Sequence, residues 1–218
     1  MRGMDSQNSS LKPQSVAEGA AQGPLRAPLR LVGEVSLISA LAFLPLGIYQ
    51  PFFPLWLAGQ NFDAEMIGLV MAIPTVLRVL SSPTLSGLAD KHVPPRYLLI
   101  VFSLLSCMGW LAADHLLRGW AMVACLCVST TLMLAVLPLS EVMLLDAVRQ
   151  HAHLRYGRLR VWGSVSFMLA NIGGGFWIAQ TSGATIPAAL ALSCGQTLLL
   201  GVFMRTGMHL PARLAVER

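Results

Sequence analysis

The sequence predicts an all-α, polytopic membrane protein with six transmembrane helices, and three observations carry that reading. The first is the scarcity of charge. Of 218 residues, 11% are charged and 55% are hydrophobic, whereas an average soluble domain is about 25% charged. A soluble domain of this size could not cover its surface with so few polar groups. The second is the length of the uncharged runs. Residues 35–62, 120–140 and 161–204 contain no Asp, Glu, Lys or Arg. A bilayer-spanning helix needs roughly 20 mainly apolar residues, so the 44-residue run 161–204 is enough for two spans and too long for one. The third is the placement of Lys and Arg. With an even number of spans, thirteen of the fifteen basic residues fall on one side, Arg118 alone on the other, and Arg78 inside the membrane. The positive-inside rule then puts both termini in the cytoplasm. Soluble enzymes, nucleic-acid binders (despite the net charge of +5) and secreted disulfide scaffolds are excluded.

Each element follows in order. Residues 1–33 are rich in Ser, Gln, Gly, Ala and Pro; they cannot bury enough surface to fold and read as a disordered cytoplasmic tail. They are no signal peptide, because the first apolar run starts more than 30 residues in and more spans follow it. The bundle occupies 34–204, and 205–218 is a cytoplasmic segment. The first span runs from Glu34 to Leu57 and carries Pro45, Pro51 and Pro54. The second, Glu65 to Ala89, has Arg78 at its centre. The third is Tyr97 to Ala113, and the fourth runs from Trp120 to Ala147 with Glu141 and Asp146 near its end. The fifth spans Gly157 to Gln180 and the sixth Thr185 to Met204, joined by a turn at Thr181-Ser182-Gly183 with Pro187. Pro74, Pro83 and Pro138 are expected to kink their helices. Ser166, Ala170 and Gly174 recur every four residues in the fifth span, a small-residue face of the kind that lets backbones approach closely.

Charges inside the membrane are costly, roughly 2.5–3.5 kcal/mol each on insertion scales. Arg78 has twelve uncharged residues before it and eleven after it. It must face a protein interior, a water-filled cavity or an acidic partner, as a structural hub or as a solute-binding or coupling residue. Glu141 lies about six residues, roughly 9 Å, inside the end of the fourth span. Arg160, in the first turn of the fifth, can meet it at similar depth. Such a pair can bind polar solute groups or bridge two helices. Asp146 points elsewhere and reads as solvated; Glu34 sits at an interface and can serve as a cap. His151 and His153 read as a solvated loop pair. Cys107, Cys125, Cys127 and Cys194 lie in apolar runs without CxxC spacing or a nearby His; they read as small packing residues, with no metal and no cofactor. The chain has neither the intramembrane Ser and His of a membrane protease nor a Walker A loop. It is not read as an enzyme.

Three stretches carry a resemblance. Ser86-Gly87-Leu88-Ala89-Asp90-Lys91, with Arg96 downstream, resembles the loop signature of the major facilitator superfamily between spans two and three, although Ser86, Val93 and Pro94-Pro95 depart from the pattern. Leu46 to Leu57, then Ile67-Gly68-Leu69 and the Arg78 helix, is similar to the first hairpin of the subgroup holding phenylpropionate permeases, nucleoside–proton symporters and lactose permease. The third stretch is Pro138-Leu139-Ser140-Glu141 followed by Tyr156-Gly157-Arg158-Leu159-Arg160-Val161-Trp162-Gly163-Ser164. It resembles the end of span four and the start of span five in that subgroup.

The resemblance implies the N-terminal six-helix bundle of a major facilitator fold, covering residues 34–204. It implies a secondary transporter of the bacterial inner membrane, moving a small organic solute such as an aromatic acid, sugar or nucleoside together with protons. Glu141 and Arg160 match the family's solute-binding acid and Arg. Arg78 matches an Arg of the phenylpropionate-type members, and Tyr49 is expected on the same cavity side. Trp162 can stack on the solute or anchor its span at the headgroups. Asp90, Lys91 and Arg96 match the cytoplasmic gate. Such folds move two bundles about a site between them. This chain is therefore expected not to transport alone, but to need a C-terminal six-helix half or a second copy in the bilayer.

Overall fold

A computed structural model describes residues 29–91, 94–115, 119–151, 154–181 and 183–203, and the side chains of residues 31–80 but not 81–91 within the first two helices. The described chain is helical: α1 (Leu29–Gly59), α2 (Ala64–Lys91), α3 (Pro95–His115), α4 (Gly119–Gln150), α5 (Tyr156–Gln180), a short 3-10 turn (Gly183–Thr185) and α6 (Ile186–Phe203). Five of these, all but α2, are long and apolar enough to cross a membrane. The expectation of six spans thus stands at five on length and hydropathy. α2 is 28 residues long, but its second half lies largely among the side chains outside the description.

The first helix begins at Leu29, five residues before the expected start at Glu34, so residues 29–33 belong to the bundle and not to a tail. The reason is burial: Leu31 and Val35 pack with Leu144, Ala147 and Leu159, which extends α1 down to the ends of α4 and α5. Residues 1–28 and 204–218 lie outside the described residues.

The packing order positions the site. α4 is the central helix, with sixteen buried residues from Met122 to Ala147. α3 packs on α4 and α6, α2 packs chiefly on α4, and α1 joins α5 to α4 and α6. The α1 face Tyr49, Phe53, Trp56 runs at i, i+4, i+7, which is one helical stripe. It is an aromatic stack: Tyr49 lies 5.0 Å from Phe53, and Phe53 meets Trp110 of α3 edge-on at 5.2 Å. Several hydroxyls in the core donate to nearby carbonyls, as apolar surroundings favour. Ser129 Oγ donates to the Cys125 carbonyl at 2.7 Å and Ser106 Oγ to the Ser129 carbonyl at 2.9 Å. Cys194 touches Ser106, and Cys125 Sγ donates to the Gly109 carbonyl.

α5 is held differently. Only Leu159 and Gly163 are buried along its 25 residues. It runs parallel to α1, and small residues bring the two backbones together. A Cβ on Gly47 would lie 2.6 Å from the Phe167 carbonyl oxygen and 2.7 Å from the Ala170 Cβ. One on Gly174 would lie 2.7 Å from the Phe52 ring. The contact stripe is therefore Gly163, Ala170, Gly174; of the expected stripe, Ser166 turns instead toward a groove between α5 and α6. The α5–α6 hairpin is tied by Trp177 Nε1 donating to Thr185 Oγ1 at 3.2 Å and Thr181 Oγ1 donating to the Trp177 carbonyl.

Candidate functional site

The structure brings Glu141 and Arg160 together. Arg160 Nε donates to Glu141 Oε1 at 2.6 Å, across from α5 to α4. A second donor completes the carboxylate: Tyr156 Oη donates to Oε2, also at 2.6 Å. Tyr156 stands one turn before Arg160, so both side chains leave α5 on one face. The guanidinium carbon sits 4.0 Å above the Phe43 ring of α1, a cation–π geometry. Gly163 lies beneath: a Cβ there would approach Phe43, Arg160 and the Ser39 carbonyl within 2.9–3.2 Å. Three helices thus set one charge pair, and the absence of a side chain at Gly163 makes room for it.

The pair is neither sealed nor free. The Arg160 and Glu141 side chains are 29% and 26% exposed. Charge-assisted bonds in such a setting are short and strong. Arg160 spends its Nε–H on Glu141, and a guanidinium has five N–H donors in all. Tyr156 also interacts with the guanidinium, so the three side chains form one cluster at this partly exposed face. Further along the same flank of α5 stands Asn171, eleven residues and roughly 16 Å on. With Gln50 and Pro51 of α1 and Phe167, Met168 and Ile172 of α5, it lines an open depression of about 440 Å³.

The other expected residues are distributed as follows. Tyr49 is 4% exposed and belongs to the aromatic core, with its hydroxyl directed toward Thr130 of α4. The α1 stripe that carries it also carries Phe53 and Trp56. Trp162 is 54% exposed and lines the α5–α6 groove. Two residues beyond Arg160, it turns roughly 200° around the helix and leaves the charge pair behind. Arg78 is half-buried on α2 and engages a neighbour. Its helix packs on α4, while Arg160 rides on α1's partner α5, so the two arginines stand on different walls. Asp90 and Lys91 have side chains outside the described residues. Arg96 caps α6: its Nε donates to the Gly201 carbonyl and its Nη2 to the Val202 carbonyl, each at 2.9 Å. A basic side chain on the last carbonyls of a helix is a stabilising cap, and it binds α3 to α6. Asp146 pairs with Arg149 at 3.8 Å on the surface. Tyr156, Phe43, Gln50 and Asn171 had no role assigned from sequence. For Tyr156 the signal was present as i, i+4 spacing to Arg160.

Comparisons with known proteins agree on the ancestry. The sequence profile of the MFS_1 like family matches residues 36–212. A "Probable 3-phenylpropionic acid transporter" of Escherichia coli (strain K12) is 29% identical over 168 residues, covering 75% of this chain and 42% of that protein. The crystal structure of a mutant of the nucleoside transporter NupG superposes with a TM-score of 0.69 at 18% identity, over 86% of this chain and 47% of that one. The chain therefore spans less than half the length of either. The fold likeness and the family match together make this an integral membrane protein, and the chain belongs to the MFS_1 like family of the major facilitator superfamily.

Proposed function

We propose that this chain is a six-helix half of a secondary transporter in the bacterial inner membrane. It carries a small organic solute of the aromatic-acid, sugar or nucleoside class, coupled to protons, with both termini in the cytoplasm. The observation that carries the reading is the Glu141–Arg160–Tyr156 cluster, a partly open charge pair on the walls of three helices. The pair keeps partial access to solvent, so a solute that reaches this face can meet both charges. Arg78 on the α2 wall completes the solute site from the other side. Arg96 acts with Asp90 and Lys91 at the cytoplasmic end, where it ties α3 to α6.

A partner-dependent bundle is the form the geometry favours. α5 leaves Val161, Met168 and Ile172 more than half exposed beside its polar flank, and α2 does the same with Val76, Val79 and Leu80. These two stripes border the proposed solute face and suit a second bundle packed against it. The second bundle is a C-terminal half or another copy of this chain.

The test is uptake into proteoliposomes with an imposed proton gradient and a panel of aromatic acids, sugars and nucleosides. The chain is assayed alone and together with the C-terminal bundle of the E. coli relative. Saturable uptake that requires the second bundle and is lost in Glu141→Gln supports the reading. Uptake by the chain alone, also lost in Glu141→Gln, supports the two-copy form. No binding or uptake of any panel member, or uptake indifferent to Glu141→Gln, overturns the solute site.

A further inference from the structure

A groove of about 690 Å³ opens between α5 and α6, with α1 as its floor. It lies on the flank of α5 opposite Arg160. Its α5 wall is Trp162, Val165, Leu169, Gly173 and Trp177, one stripe at helical spacing. No residue lining it is charged, and the polar atoms near it are largely engaged: Ser193 donates to the Leu190 carbonyl, and Thr185 accepts from Trp177. Trp162 and Trp177 bound it along α5, fifteen residues and so roughly 22 Å apart. That exceeds one leaflet of a hydrocarbon core about 30 Å thick.

Charge stands at one end only. Arg158 lies one turn before Trp162, at the start of the same stripe. It is exposed, and its guanidinium has no partner among the described residues. A long basic side chain there can reach the headgroup layer, and Trp162 sits where aromatic side chains favour the interface. An uncharged slot the length of an acyl chain, with an exposed cation one turn beyond its Trp162 end, complements one amphiphile that is always present at that depth.

We propose that this groove is a binding site for one anionic phospholipid, its acyl chain along Leu169 and Gly173 and its phosphate on Arg158. The site is independent of the solute face and of any transport. Occupied, it fills the gap that α5 leaves beside α6 and steadies a helix otherwise held mainly by α1.

The experiment is native mass spectrometry of the full chain in mild detergent, doped with dioleoylphosphatidylglycerol or dioleoylphosphatidylcholine. Two variants probe the two ends. Gly173→Leu fills the slot, and a Cβ at Gly173 meets nothing within 4 Å, so the helix is undisturbed. Arg158→Gln removes the cation, and Arg149→Gln, paired with Asp146 on the surface, is the control. The expected result is one phosphatidylglycerol retained where phosphatidylcholine is stripped. Retention should fall about fivefold in Arg158→Gln, from the loss of one basic contact near the surface. It should fall at least as far in Gly173→Leu and stay unchanged in Arg149→Gln. Equal retention of the two lipids, equal retention by wild type and both groove variants, or a lipid-free protein dimer would each overturn the proposal.

Discussion

The two flanks of α5 face different chemistry although the same run of about four turns of helix carries both. Arg160, Ser164 and Asn171 leave the helix within about 40° of one another at 100° per residue. Arg160 makes a charge pair and a cation–π contact, and Asn171 lines an open depression. Trp162, Leu169 and Gly173 leave on the other side and line a slot without charge. Between them, Gly163, Ala170 and Gly174 seat the helix on α1. A helix with two buried residues in twenty-five keeps its place by close backbone contact and one ion pair, which leaves both flanks available. α4 shows the converse: sixteen buried residues and polar groups mostly satisfied by neighbouring carbonyls. Burial is concentrated in α4, and the charge pair and the uncharged groove flank α5.

The largest expected effect breaks the seat itself. Gly47→Leu puts a side chain into the Phe167 backbone and the Ala170 methyl, and neither can move aside without moving α5. Overpacking of this kind costs about 1–3 kcal/mol or more, read as a lowered midpoint of unfolding in detergent. Gly173→Ala in the facing helix meets open space and should leave that midpoint unchanged or slightly raised, by up to about 1 kcal/mol of helix propensity. Equal losses in both would mean that α1 and α5 are not held by close approach.

Next comes the charge pair. Glu141→Ala leaves the half-buried guanidinium without its acceptor, and loss of a bond to a charged group costs about 1.5–3 kcal/mol. Solute binding should fall at least tenfold, roughly the equivalent of 1.4 kcal/mol. Arg160→Lys should lose nearly as much binding, because the ammonium lacks the planar fork. Isothermal titration in nanodiscs checks both, and near-native affinity in Arg160→Lys would reduce the pair to a bridge.

Much of this was legible in the sequence, for physical reasons that also mark where it stopped. Uncharged runs locate spans because the bilayer disfavours charge, so six helical segments were legible, five of which are long and apolar enough to cross a membrane. Glu141 and Arg160 stood out because their depth is costly. That Tyr49 stacks on Phe53 was not legible, because an aromatic residue in an apolar helix carries no sign of which neighbour it will meet. Trp162 shares a motif with Arg160 but not a face. Gly47 gave no signal at all, since its role depends on Phe167, far away in sequence. Arg96 looked like part of a loop gate, yet its donors meet the carbonyls of α6, whose position no local pattern reveals.

A smaller effect sharpens the comparison. Tyr156→Phe removes one hydrogen bond at an exposed edge, about 0.5 kcal/mol at the low end of the usual range. It should weaken solute binding about twofold while leaving lipid retention in the α5–α6 groove unchanged. The smallest belongs to Arg78→Leu as read by membrane insertion, which should hold, while transport in the complete assembly is lost. Normal transport in that variant would make Arg78 structural.

The most direct test compares the two flanks in one experiment. Single cysteines at Ser164, beside Arg160, and at Leu169, in the groove, are exposed to a water-soluble, membrane-impermeant thiol reagent in nanodiscs, in a background whose four native cysteines are replaced. The account predicts rapid labelling at position 164 that a bound solute slows, and little labelling at position 169 with or without solute. Labelling at 169 as fast as at 164, or labelling at 164 that no panel solute slows, would contradict it.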